Sequence, residues 1–119
     1  MTMNIIYISK SMSTYVGSQY QQDIIEELMR AANVYFYGPG FPDYDRNDDI
    51  SEIIAKSNFH PDCILLGHAW LPDNEWAHSD PHPGLGLRKT SIPKFGIINK
   101  EYVNLERKLE YYKHNEFDI

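Results

Sequence analysis

The chain contains a single cysteine, Cys63, among 119 residues. One thiol excludes an internal disulfide framework and any zinc site built on cysteines. Long apolar runs are missing as well. The longest fall far short of the roughly 20 residues that a membrane-spanning helix needs. The first residues lack the basic start and apolar stretch of a secretory leader, so a cytoplasmic protein is expected. Positive charge is scarce: 11 Lys and Arg stand against 17 Asp and Glu, a net charge of −6. That balance argues against general binding to nucleic acid or anionic membranes, which needs basic surface, and leaves room only for a local basic pocket. Neither G-x-G-x-x-G nor G-x-x-x-x-G-K-[ST] occurs, so the dinucleotide and P-loop fingerprints are absent. There is no internal repeat and no low-complexity tract.

What remains is the composition of a soluble globular domain, with 42% hydrophobic and 24% charged residues. The length suits one domain, residues 1–119, able to bury a core. Aromatics reach 13%, nine of them tyrosines, enough to form stacking surfaces as well as core.

Short apolar runs alternate with helical patterns. "NIIYIS" (Asn4–Ser9) reads as a buried strand. A helix follows from about Ser18, where Ser18 and Gln21 match a capping box. Tyr20, Ile24, Leu28 and Ala32 line its face, widened by Ile25 and Met29. "VYFYGPG" (Val34–Gly40) is a second strand, stopped by Gly-Pro-Gly. "DISEIIAKSN" is a short helix with Asp49 as N-cap, Glu52 at the box position, and Ile50, Ile53 and Ile54 turned inward. Cys63–Gly67 makes a third strand and Lys94–Lys100 a fourth. The last helix, which Asn99 could cap, shows Tyr102, Leu105, Leu109 and Tyr112 on one face. "FDI" (Phe117–Ile119) opens a fifth strand. Continuous apolar strands alternating with amphipathic helices specify a parallel sheet covered on both faces. The expected fold is therefore α/β: a three-layer, Rossmann-like or flavodoxin-like parallel sheet of about five strands, incomplete at its C-terminus.

Ligands of such sheets bind beyond the carboxyl ends of the strands. Four loops start there. "SKSMSTYVGSQ" offers hydroxyls, Lys10 and Gly17 just before a helix N-terminus, a place that suits an anion or a polar sugar. Ser9, Lys10, Ser13, Gly17 and Ser18 are its candidate contacts. "YGPGFPDYD" (Tyr37–Asp45) reads first as a strand-to-helix turn, and alternatively as a wall presenting Tyr44 or Asp45 to a polyol. Gly67–Lys94 holds both tryptophans, three of the five histidines and four of the seven prolines. Loops this long are usually functional or mobile. His68, directly after the third strand, is the candidate general base or hydrogen-bond donor, against a buried histidine packed on Trp70. Trp70 and Trp76 offer faces to a sugar or a cover for the sheet edge. His78, Asp80 and His82 are a ligand set for zinc or iron, but Pro81 and Pro83 forbid the helical spacing that would gather them, and a solvated loop is the simpler reading. Lys100, where the fourth strand meets its helix, suits an acid or a phosphate. Cys63 reads as a small buried hydrophobe.

Several stretches together, "NIIYISKSMSTYVGSQYQQDIIEEL", "VYFYGPGFPDYD", "PDCILLGHAWL" and "IPKFGIINKEYVNLERKLEYYK", resemble the start of glycosyltransferase-like proteins of the spore-maturation-protein type. These in turn resemble GT-B glycosyltransferases. The resemblance is one of pattern over about Met3 to Ile119. It implies the acceptor-side half of a two-domain, nucleotide-sugar-dependent transferase, with the donor-binding domain outside this chain and little activity alone. By position, Gly17 matches the glycine of the loop that faces the donor phosphates, and His68 lies near a cleft-facing residue. The implied partners are a nucleotide sugar, a sugar acceptor, and a missing C-terminal domain or partner chain; homodimerisation is a further expectation. No cofactor is expected. The alternatives are a stand-alone flavodoxin-like binding or interaction module, and, third, a metal hydrolase using His68, His78, Asp80 and His82.

Overall fold

The computed structural model describes residues 2–9, 19–67, 70, 85–97 and 105–117. Among the described residues there are four strands and three helices, in the order β1 (Met3–Ile8), α1 (Gln19–Ala31), β2 (Ala32–Tyr37), α2 (Ile50–Ser57), β3 (Cys63–Leu66), β4 (Lys94–Gly96) and α3 (Leu105–His114). A 3-10 turn at Leu87–Lys89 precedes β4. All strand pairs are parallel, in the order β2-β1-β3-β4. The fold is thus α/β with a parallel sheet. Among the described residues no helix is long and apolar enough to cross a membrane.

The register shows how each strand divides its side chains. Ile6 aligns with Tyr35 and Ile64, and Ile8 with Tyr37 and Leu66. Alternate residues share a face, so these six line one side of the sheet. There they meet Ile50 and Ile53 of α2, Tyr111 and Tyr112 of α3, and Trp70, Leu85, Leu87 and Phe117 in one continuous core. Ile5 and Tyr7 lie on the opposite side with Val34, Phe36, Cys63, Leu65 and Phe95. Burial fades across that side: Tyr7 is enclosed, Leu65 is half-buried, and Phe95 is 44% exposed.

The helices follow local chemistry closely at α2. Asp49 caps it, accepting from the Glu52 N–H at 3.0 Å, while the Glu52 carboxylate accepts from the Asp49 N–H at 3.4 Å. The reciprocal pair satisfies two N–H groups that a helix start otherwise leaves bare. Ile50 and Ile53 are buried and Ile54 partly so. The capping box expected for α1 at Ser18 lies outside the described residues.

Four expectations are corrected. Ala32 belongs to β2, not to the helix face, because α1 runs into the strand with no residue between them. Ile24, Ile25 and Leu28 of α1 are half-buried, but Met29 is 62% exposed. In α3 Tyr112 is buried as expected, but Leu109 is 38% exposed and Lys108, Tyr111 and Asn115 share the inward face with Tyr112. Phe117 opens no strand. Glu116 takes a left-handed φ of 59°. The Phe117 N–H then donates to the Tyr112 carbonyl at 2.9 Å and the Glu116 N–H to the Lys113 carbonyl at 3.1 Å. This is a Schellman ending, and Phe117 folds back onto Tyr112 with ring centroids 4.7 Å apart. Four strands are present among the described residues; Asp118 and Ile119 lie outside them.

Candidate functional site

The strand order places the reversal of chain direction beside β1. The connection leaving β1 runs to β2 on one flank, and the next connection returns past β1 to β3 on the other. The carboxyl ends of β1 and β3 are therefore the switch point, where open α/β sheets form their crevice. Ser9 follows β1, and Gly67 follows β3. The Gly67 N–H donates to the Ile8 carbonyl at 2.8 Å, so the two ends are joined. Lys10 and His68 follow Ser9 and Gly67 in the sequence.

Of the sequence-derived candidates, Ser9, Tyr44 and Trp70 fall among the described residues. Lys10, Ser13, Gly17, Ser18, His68 and Lys100 lie outside them, as do Trp76, His78, Asp80 and His82. Ser9 stands at the switch point but is fully enclosed. Its N–H donates to the Tyr37 carbonyl at 3.0 Å, tying β1 to β2 at the rim.

Trp70 is a correction. It has 0% exposure, and its indole N–H donates to the Tyr111 hydroxyl at 3.1 Å. A ring enclosed on both faces has no side left for a sugar. Trp70 joins α3 to the core instead, because burying an indole demands a partner for its N–H and Tyr111 supplies one.

The loop after β2 is a built turn. Gly38 and Gly40 take positive φ, which glycine adopts without steric cost. The Phe41 N–H donates to the Gly38 carbonyl at 3.0 Å and the Tyr44 N–H to the Phe41 carbonyl at 3.2 Å. Tyr44 is half-buried, its ring 5.4 Å from that of Tyr37, and burial raises its hydroxyl pKa. The Asp45 N–H donates to the Tyr37 hydroxyl at 3.0 Å, and the Asp45 carboxylate accepts from the Asn47 N–H at 2.9 Å. Asp45 thus bonds within a strand-to-helix turn through both its backbone and its carboxylate.

Sequence reasoning missed the polar centre of that turn. Asp48 is 4% exposed. It accepts from the Tyr37 hydroxyl at 2.6 Å and from the Lys56 ammonium at 2.5 Å. Lys56 also donates to the Asp43 carbonyl at 3.0 Å, and the Tyr35 hydroxyl to the Asp43 carboxylate at 2.7 Å. Burial and the neighbouring carboxylates hold the Tyr35 and Tyr37 hydroxyls above the ordinary tyrosine range. No spacing rule links Asp48 to Lys56, eight residues apart, because Asp48 precedes the helix and folds back toward it.

Cys63 is half-buried, and burial raises its thiol pKa, which leaves it a poor nucleophile. Among the described residues no group of three or more His, Cys, Asp or Glu side chains could hold a metal ion. Comparison with protein-family models, with curated proteins and with solved structures finds no match to this chain.

Proposed function

We propose that this chain is the acceptor-side domain of a GT-B-like, nucleotide-sugar-dependent glycosyltransferase. One observation carries the reading: β1 and β3 are neighbours, so the hydroxyl-rich segment after Ser9 and the His68 segment after Gly67 leave adjacent strand ends. Transfer of a sugar to a hydroxyl develops an oxocarbenium-like centre and negative charge on the departing diphosphate. The protein's task is to orient the acceptor and stabilise that charge. Lys10, Ser13, Gly17, Ser18 and Lys100 are the contributors from this side, with the enclosed Ser9 holding the strand end in place, Tyr44 on the flank and His68 as base or donor. The donor-binding domain is supplied by a further domain or a partner chain in the cytoplasm, and the chain alone is a poor catalyst. In this reading the sheet has three layers. Right-handed crossovers put α1 on the face opposite α2, because the two connections run in opposite directions along the sheet. A fifth strand would extend it beyond β4.

The experiment is an amide-resonance titration of the protein with nucleotide sugars, such as UDP-glucose, and with free sugars. Shifts confined to residues 9–18 and around His68 are expected. No response in either region overturns the reading.

The strand order gives a second reading some support. β2-β1-β3-β4 is how a flavodoxin-type sheet, 2-1-3-4-5, begins, which suits a stand-alone binding or interaction module. Such a module binds without turnover, so release of nucleoside diphosphate from a nucleotide sugar on mixing with any second domain would exclude it.

A further inference from the structure

Gly38, Ser9 and Gly67 stand side by side at the carboxyl rim, one at the end of each of β2, β1 and β3. The contact is tight from both flanks. A Cβ on Gly38 would lie 1.8 Å from the Ser9 carbonyl oxygen, and Gly38 has a φ of +138° besides. A Cβ on Gly67 would lie 2.5 Å from the Tyr7 hydroxyl and 2.7 Å from both Cβ and Oγ of Ser9. Contacts under 3.0 Å are essentially never tolerated by a real Cβ. Tyr7 and Ser9 are both fully enclosed, so neither has room to withdraw.

We infer that Gly38 and Gly67 are positioning residues. Their missing side chains let β2 and β3 close on Ser9 from either side, and this fixes the point at which the segment after β1 leaves the sheet. A glycine near a strand end marks close approach of something; here the approaching group is the Ser9 backbone and side chain, not a ligand. The placement itself stands on geometry. Its bearing on sugar transfer rests on the function proposed above.

The test compares Gly67→Ala and Gly38→Ala with Gly67→Ala made in a Tyr7→Phe/Ser9→Gly background, read by amide resonances and thermal unfolding. In the wild-type background Gly67→Ala is expected to shift the Ser9 amide, which reports its bond to the Tyr37 carbonyl. The cap residues Asp49 and Glu52 should stay in place. The altered background removes the atoms that Gly67→Ala would strike. There the same substitution should leave the amide at position 9 where it was and lower the melting temperature less. Gly38→Ala strikes backbone, so that background should not rescue it. An unmoved Ser9 amide in Gly67→Ala, or no relief in the altered background, overturns the inference. If Gly38→Ala fails to fold, the Gly67 comparison still decides. A wild-type protein deaf to nucleotide sugars would remove the transferase reading while leaving this result untouched.

Discussion

Asp48 is almost completely enclosed yet carries a charge. Burial alone pushes its carboxyl pKa up, but the bonds from Lys56 and Tyr37 outweigh burial and hold it below the ordinary carboxylate range. Removing the carboxylate takes from the Tyr37 hydroxyl and the Lys56 ammonium their shortest bonds, leaving them those to Asp45 and Asp43. Asp48→Ala is expected to cost about 1–3 kcal/mol, measured by chemical denaturation. Glu116 presents the opposite case. A non-glycine residue in the left-handed region bears a steric penalty of roughly 1–2 kcal/mol, and the Schellman ending of α3 needs that conformation. Glu116→Gly relieves the penalty and adds backbone freedom to the unfolded chain. The net expectation is a gain of up to about 1 kcal/mol, read as a higher denaturation midpoint. Neither residue was legible in the sequence: Asp48 folds back onto a helix that it precedes, and no glycine or asparagine marks the left-handed position that Glu116 fills. Trp70 was misjudged because its partner is far along the chain: a tryptophan in a long loop looks available until Tyr111 is seen to hold its N–H.

The elements vary in how openly the sequence declares them. α2 was fully legible, since a capping box and an i, i+3 isoleucine pair are local signals. Asp49→Ala should lower the melting temperature and weaken α2, while Asp49→Asn keeps a capping oxygen and most of the stability. Of the α3 face read from the sequence, Tyr112 reaches the core and Leu109 does not. Leu105 and Leu109 carry the strongest apolar signal, but the core receives Lys108, Tyr111, Tyr112 and Asn115. Lysine stems and tyrosine rings bury well when their polar tips find partners, which a hydropathy pattern does not register. Tyr112→Ala is therefore expected to cost about 3–5 kcal/mol, and Leu109→Lys to stay within about 0.5 kcal/mol of wild type. A Leu109→Lys cost as large as that of Tyr112→Ala in thermal or chemical melts would return Leu109 to the inner face.

For the whole molecule, the parallel α/β layout was legible from strand and helix alternation, but the strand order was not, because nothing local says on which flank β3 returns. Stability against pH follows from groups on both sides of neutrality. Asp48 has a depressed folded pKa, so its contribution is present above the unfolded carboxyl value of about 3.9 and is lost as pH falls through the lower folded value. Burial pushes the Tyr112 hydroxyl up to about 12. Its contribution is intact below the unfolded value of about 10 and is lost as pH rises through the folded one. Unfolding at high pH should accompany phenolate absorbance, and Tyr112→Phe should delay it. Finally, α1 passes into β2 between Ala31 and Ala32 without a spacer. The parity of the strand is thus geared to the screw of the helix. One extra residue inserted at that junction would have to be absorbed as a bulge in the helix; otherwise Tyr35 and Tyr37 would exchange sides with Val34 and Phe36, and the Asp48 turn would lose its anchor.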